Sequence, residues 1–229
     1  MAILTDAGGE DHFDPDEFDA QLEAHGTPAL WRRARTCPCV DPDTGAPNIE
    51  CPYCLDQPGT LWDDGVPITV FAPARRRKDL YNAAGHLLEG VVTLTFPTSV
   101  TPGHLDWIEL TAAECVVNRE THKRGELDPL GRSAERLRFP DVLAVESIDA
   151  IVGGVLQTYL PDTEFTVGFD ASIQWVTGPP AQTLYTVRYV ARPVYVCWGP
   201  ESRDEGGAKQ PTRCLAQRLD FFRQPVVGE

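Results

Sequence analysis

The sequence is poor in several things, and each shortage excludes something. It has one methionine and three lysines among 229 residues. No stretch approaches the ~18 consecutive apolar residues of a membrane-spanning helix. The opening Met1-Ala2-Ile3-Leu4-Thr5-Asp6 lacks the basic start and apolar run of a secretory leader, so none is expected. No internal repeat and no low-complexity tract occurs, which argues against solenoids, coiled coils and disorder over most of the length. Motifs for a serine-hydrolase elbow, a zinc protease helix, a phosphate-binding loop or a dinucleotide fold are all missing. Without a nucleophile–base pair or an open metal site, the expectation is a protein that is not an enzyme.

Positive charge is also scarce. The formal net charge is −14, from 34 acidic and 20 basic residues. Residues 1–66 carry 14 acidic against 3 basic side chains, net −11, and residues 67–229 carry 20 against 17, net −3. That balance disfavours a protein that coats nucleic acid, because phosphate contacts need clustered Lys and Arg. An acidic surface can still border passing DNA without gripping it.

Three segments follow from composition. Residues 1–26 form an acidic N-terminal arm with a short helix, Pro15–His25. Asp14 is suited to the N-cap, Pro15 to the first helical position and Glu17 to a capping box; Phe13 and Phe18 form a hydrophobic staple, and Gly26 ends the helix. Residues 27–66 form a four-cysteine zinc-binding module punctuated by Pro and Gly. Residues 67–229 form a β-rich domain with long polar loops. Strand-like runs lie at 68–71, 91–96, 106–110, 115–117, 165–167, 172–176, 184–190 and 194–196. The spacing predicts a mainly β fold, an antiparallel barrel or sandwich, with Pro193 breaking or bulging a strand. Residues 120–136 are expected as a long polar loop, and Cys214 to Arg223 as a last helix or strand packing Leu215, Leu219 and Phe222.

The strongest chemical signal is Cys37-Pro38-Cys39 followed, after eleven residues, by Cys51-Pro52-Tyr53-Cys54. Two close thiol pairs on a short loop suit a tetrahedral Zn²⁺ that closes a unit with no core of its own. Such a site has no open coordination position and is structural. The rivals are a redox dithiol at Cys51–Cys54, two disulfides, or an iron–sulfur cluster. The first would need a preceding buried strand and a following helix, and neither Asn48-Ile49-Glu50 nor Leu55-Asp56-Gln57-Pro58-Gly59 provides them. Cys115, Cys197 and Cys214 lack close partners. Cys115 and Cys197, in apolar strand surroundings, are expected as small buried hydrophobes. His86, His104 and His122 recur at intervals of 18 without any accompanying repeat. The pairs Asp162/Glu164 and Asp204/Glu205 sit in polar turns and suit a solvated surface.

Gly26-Thr27-Pro28-Ala29-Leu30-Trp31-Arg32-Arg33-Ala34, running into the four cysteines, resembles the opening of a group of virion proteins of tailed bacteriophages. The stretch Glu164-Phe165-Thr166-Val167, Ile173-Gln174-Trp175, Gly178-Pro179-Pro180 and Tyr185-Thr186-Val187-Arg188-Tyr189 is similar to the β-hairpin core of phage structural proteins. The resemblance touches residues 26–55 and 164–196. It implies a neck, head-completion or head–tail connector component, a homo-oligomeric ring contacting portal, adaptor or tail proteins, with DNA passing through unbound and no membrane partner. It carries the zinc ligands over as Cys37, Cys39, Cys51 and Cys54; the glycines usual in such a knuckle are poorly kept after Cys54. Interface candidates are Trp31, Arg32, Arg33, Trp62 and the basic cluster Arg75, Arg76 and Arg77. The implied location is the virion, assembled in the host cytoplasm. The alternatives are a zinc-ribbon adaptor for a protein or nucleic-acid partner and, less favoured, a virion-associated hydrolase.

Overall fold

The computed structural model describes residues 13–48, 50–54, 59–72, 90–127, 134–201, 204–205 and 208–221. Among these residues it is mainly β, with one helix, α1 (Pro15–His25). The strands are β1 (Thr27–Arg32), β2 (Ala34–Thr36), β3 (Thr60–Trp62), β4 (Val66–Val70), β5 (Val91–Thr95), β6 (Trp107–Leu110), β7 (Cys115–Lys123) and β8 (Val142–Val152). They continue with β9 (Val155–Tyr159), β10 (Phe165–Val167), β11 (Ile173–Trp175), β12 (Leu184–Ala191), β13 (Val194–Glu201), β14 (Asp204–Glu205), β15 (Ala208–Lys209) and β16 (Arg213–Arg218).

The helix forms where its caps place it. The Asp14 side chain accepts from the N–H groups of Asp16 and Glu17 at 2.9 and 3.3 Å, filling two of the donors a helix start leaves open. Phe13 and Phe18 meet at 5.8 Å between ring centres, as the staple requires. Gly26 ends the helix in extended conformation, its N–H donating to Leu22 O at 2.7 Å. Its lack of a side chain is needed for packing: a Cβ there would lie 2.4 Å from Thr69 Cγ2. Buried Leu22 and the Phe18–Phe71 contact set the helix against β4 and the chain just beyond it. Asp19 pins it further by accepting from the Thr98 N–H and hydroxyl at 2.9 and 2.6 Å.

Two sheets make the body. The first runs β4-β1-β6-β13-β16-β5, with antiparallel neighbours. Its two edges meet where Phe71 and Thr95 exchange backbone bonds of 3.0 Å, rolling the sheet into a barrel joined by a single bridge. Alternation then sends one set of side chains inward. Ala29, Trp31, Val70, Leu94, Phe96, Ile108, Leu110, Cys197, Cys214 and Ala216 form that core. The second sheet, β7-β12-β8-β9, packs against the β10–β11 hairpin around Phe139, Ile148, Phe165, Tyr185, Val187 and Tyr189. Strand β13 serves both cores. Val194 and Val196 face the second, while Cys197 faces the barrel.

Several expectations change. Residues 27–66 are not a separate module at their ends, because β1 and β4 are barrel strands; the cysteine loop is an excursion between them. The expected loop at 120–136 is shorter: β7 extends to Lys123, and Glu120 and His122 face β12 across the sheet. The strand pair β8–β9, joined at Gly153 and Gly154 with positive φ, was not anticipated. The C-terminal run is the barrel strand β16 with Leu219 buried behind it, and Leu215 points outward; Phe222 lies outside the described residues. Cys115, Cys197 and Cys214 are free and buried. Pro193 separates β12 from β13.

Candidate metal centre

The cysteine loop leaves the barrel through a short ribbon. Strands β2 and β3 pair antiparallel, Ala34 with Trp62 and Thr36 with Thr60. Just beyond, the Cys37 N–H donates to Gly59 O at 2.9 Å, and Val40 N–H returns to Cys37 O at 3.0 Å. Asp41 shapes the far end, its carboxylate accepting from the N–H of Asp43 and Thr44. The turns fold the two thiol pairs over each other. Cys37 Sγ lies 3.7 Å from Cys51 Sγ, and Cys39 Sγ lies 3.4 Å from Cys54 Sγ. All four sulfurs fall within 4.8 Å of one another. Thiolates about 2.3 Å from one ion in a tetrahedron stand about 3.8 Å apart, so the spacing fits four ligands on one metal. All seven cysteines are free, and disulfide sulfurs would be bonded at about 2 Å.

The surroundings of the cluster are compatible with a bound metal ion. Among the described residues, Cys37, Cys51 and Cys54 are buried, with Cys39, Val40 and Leu61 packed against them. So small a cluster offsets little of the chain entropy of the loop. The Gly59 N–H donates to Cys54 Sγ at 3.3 Å, a bond that favours a thiolate there. The backbone N–H of Tyr53 brings the Cys51 thiol down to about 7, whereas burial pushes Cys54 up to about 12. A cation at the centre would deprotonate all four and replace the missing core.

The base of the loop is tied to the barrel by one buried carboxylate. Asp106 accepts from Trp31 Nε1 at 2.7 Å, from the Ala34 N–H at 2.8 Å and from the Gly103 N–H at 2.7 Å. Its side chain therefore joins β1, β2 and the turn before β6. Trp62 Nε1 donates to Leu105 O at 3.1 Å, and its ring meets Trp107 edge-on at 5.0 Å.

These contacts relocate the expected interface residues. Trp31 is 5% exposed and belongs to the barrel core, so it is not a surface anchor. Arg33 lies over the Trp31 ring at 4.6 Å, and Arg35 pairs with Asp63 at 3.0 Å. Arg32 and Trp62 are half-buried. Arg75, Arg76 and Arg77 lie outside the described residues, as does His86. On the cysteine loop Tyr53 projects, 80% exposed between Cys51 and Cys54.

Sequence reasoning missed a second polar group, in the other core. Glu135 accepts from Trp175 Nε1 and the Tyr185 hydroxyl at 2.7 Å each, from the Gly125 N–H at 2.8 Å and from Arg124 at 3.2 Å. Burial acts to raise its carboxyl, but the bonds from Tyr185, Gly125 and Trp175 and the charge of Arg124 outweigh it and the net shift is downward. Nearby, Glu120 accepts from the Tyr189 hydroxyl and, at 2.7 Å, from the Arg138 N–H, and meets His122 Nε2 at 3.0 Å. Both carboxylates are filled by protein donors. Glu135 ties Arg124 and Gly125 to β11 and β12, and Glu120 ties Arg138 to β12.

No protein-family model matches this chain, and no curated protein sequence matches it significantly.

Proposed function

We propose that the chain is a structural component of a tailed-phage virion, a neck or head–tail connector protein that assembles as a ring, with one Zn²⁺ held by Cys37, Cys39, Cys51 and Cys54. The observation that carries the assembly reading is the β8–β9 hairpin. Ile151, Val155 and Leu156 are 65%, 62% and 67% exposed around its Gly153-Gly154 turn, and Leu160 follows at 54%. Contiguous aliphatic side chains on an edge hairpin are a surface for another protein. In a ring, each hairpin lies on the neighbouring copy, and joints of about 2,000 Å² or more keep the assembly closed. The zinc knuckle, with Tyr53 at its tip, meets the portal, adaptor or tail protein above or below. The acidic balance of the chain lets DNA pass the channel without specific binding.

The adaptor reading is weaker on the same evidence. Residues 27–66 carry only three arginines, of which Arg33 lies over the Trp31 ring and Arg35 pairs with Asp63, too thin a cationic surface to hold a phosphate backbone. Among the described residues no helix is long and apolar enough to cross a membrane. Negative-stain microscopy and sedimentation of the purified protein, alone and with virion neck proteins, test the proposal. Closed rings are expected. Nanomolar DNA binding that weakens steeply with salt would contradict it.

A further inference from the structure

The four sulfurs of the cysteine loop are not evenly spaced. Those of Cys39 and Cys54 stand 3.4 Å apart, and those of Cys37 and Cys51 3.7 Å. Both short contacts cross from one arm of the loop to the other. Burial is uneven too: Cys37, Cys51 and Cys54 are buried, whereas Cys39 is only partly so. Cys39 is therefore the thiol that a solute meets first.

Pairing within the arms is the poorer alternative. Two such bonds would have to include one between Cys37 and Cys39, which only Pro38 separates. A disulfide needs a dihedral near 90° and Cα atoms at least about 4.4 Å apart, and the proline fixes a backbone angle inside that very small ring. Pairing across the arms asks little: closing 3.4 Å to the ~2 Å of a bond moves the sulfurs by little more than an ångström.

We infer that the loop is a redox-exchangeable clasp, in which a hydroperoxide converts the four thiols into two crossed disulfides, Cys39–Cys54 first and Cys37–Cys51 second, and the loop keeps its fold as the ion leaves. The exchange of an ion for disulfides rests on the zinc reading above, whereas the pairing rests on the sulfur positions. Cys39 Sγ attacks the terminal peroxide oxygen, the O–O bond breaks, and water or an alcohol departs, leaving a sulfenic acid. Cys54 Sγ attacks that sulfur, the S–S bond forms, and the hydroxyl departs as water. Two electrons pass from the sulfur pair to the peroxide; the two protons in the products come from the thiols, or from solvent where the sulfurs were thiolates. With two ligands gone the site no longer holds an ion, and a second hydroperoxide joins Cys37 to Cys51 in the same way. The cross-links then restrict the unfolded loop as the ion did, while the β2–β3 pairing and Asp106 keep its base on the barrel.

Titration of the full reduced chain with hydrogen peroxide, after its zinc has been counted, tests the inference. Peptide mapping should find Cys39–Cys54 at about one equivalent and both disulfides at about two. Cys115, Cys197 and Cys214, buried in the β body, should remain thiols. Zinc, read with a chromophoric chelator, should leave in step with the first disulfide. The Val40 and Gly45 amides, bonded to Cys37 O and Asp41 O, should exchange about tenfold more slowly in the oxidised, metal-free protein than in reduced, chelator-stripped protein. A Cys51–Cys54 disulfide, disulfides between chains, sulfinic acids without disulfides, or equal exchange would overturn the inference. Reduced protein that carries no zinc at the outset would sink the zinc reading, and the same titration would still decide the pairing.

Discussion

The knuckle and the β body solve the same problem with different materials. The body buries two sets of apolar side chains, one inside the barrel and one under β12, and holds its polar groups in filled hydrogen-bond networks. Among the described residues, the knuckle between β2 and β3 has four sulfurs, two aliphatic neighbours and a few turns. Burial at about 25 cal/mol per Å² stabilises the first, whereas an ion held by the four thiolates would stabilise the second. The difference teaches that stability can be switched off locally. Asp106 is the joint, since it bonds to Trp31 in the barrel and to Ala34 at the base of the knuckle.

The largest effect should come from the ligands. Cys51→Ser, or a strong chelator, should unfold residues 37–59 and leave the body intact, because metal binding in such sites amounts to about 10 kcal/mol or more of local folding energy. Exchange mass spectrometry would show loss of protection confined to the knuckle; loss across the barrel would break the comparison. Next comes Trp31→Ala, which opens a cavity in the barrel and leaves Asp106 short of a donor. A cost of about 3–5 kcal/mol is expected in urea unfolding, with the metal retained in the native state.

Glu135→Gln tests the other core. Replacing a buried, charge-assisted acceptor by an amide should cost about 1.5–3 kcal/mol at neutral pH. The sign of its pH dependence follows from the lowered carboxyl. The stabilisation is present above its unfolded value near 4.5 and lost as pH falls through the folded one. The variant's disadvantage should therefore shrink in acid, as a urea series from pH 7 to 3 would show; a gap that widens in acid would contradict the assignment. Tyr53→Ser should be the smallest, within about 0.5 kcal/mol, because the ring is 80% exposed. Its effect should appear only in binding to a partner.

What could be read from sequence was local. Asp14, Pro15 and Gly26 bounded the helix because caps act within one turn. The cysteine spacing gave the four ligand positions for the same reason. Strands β10 to β12 showed their period-two pattern and Gly-Pro punctuation. The hairpin β8–β9 was missed although Gly153-Gly154 between two β-rich runs is a tight-turn signal, because the exposed aliphatics of β9 blur the alternation. The rest is long-range. Trp31 looked like an anchor because its partner Asp106 is 75 residues away. Glu135 looked like a loop residue because Trp175 and Tyr185 lie 40 and 50 residues on. No periodicity reports such pairings.

Native mass spectrometry of the full chain under reducing conditions tests the central claim most directly, because it counts bound metal and subunits in one spectrum. The account predicts one zinc per chain on the wild type, none on Cys51→Ser, and subunits in a closed multiple. A metal-free wild type, with masses two hydrogens lower per cysteine pair before reduction, would contradict it and make the cluster a pair of disulfides.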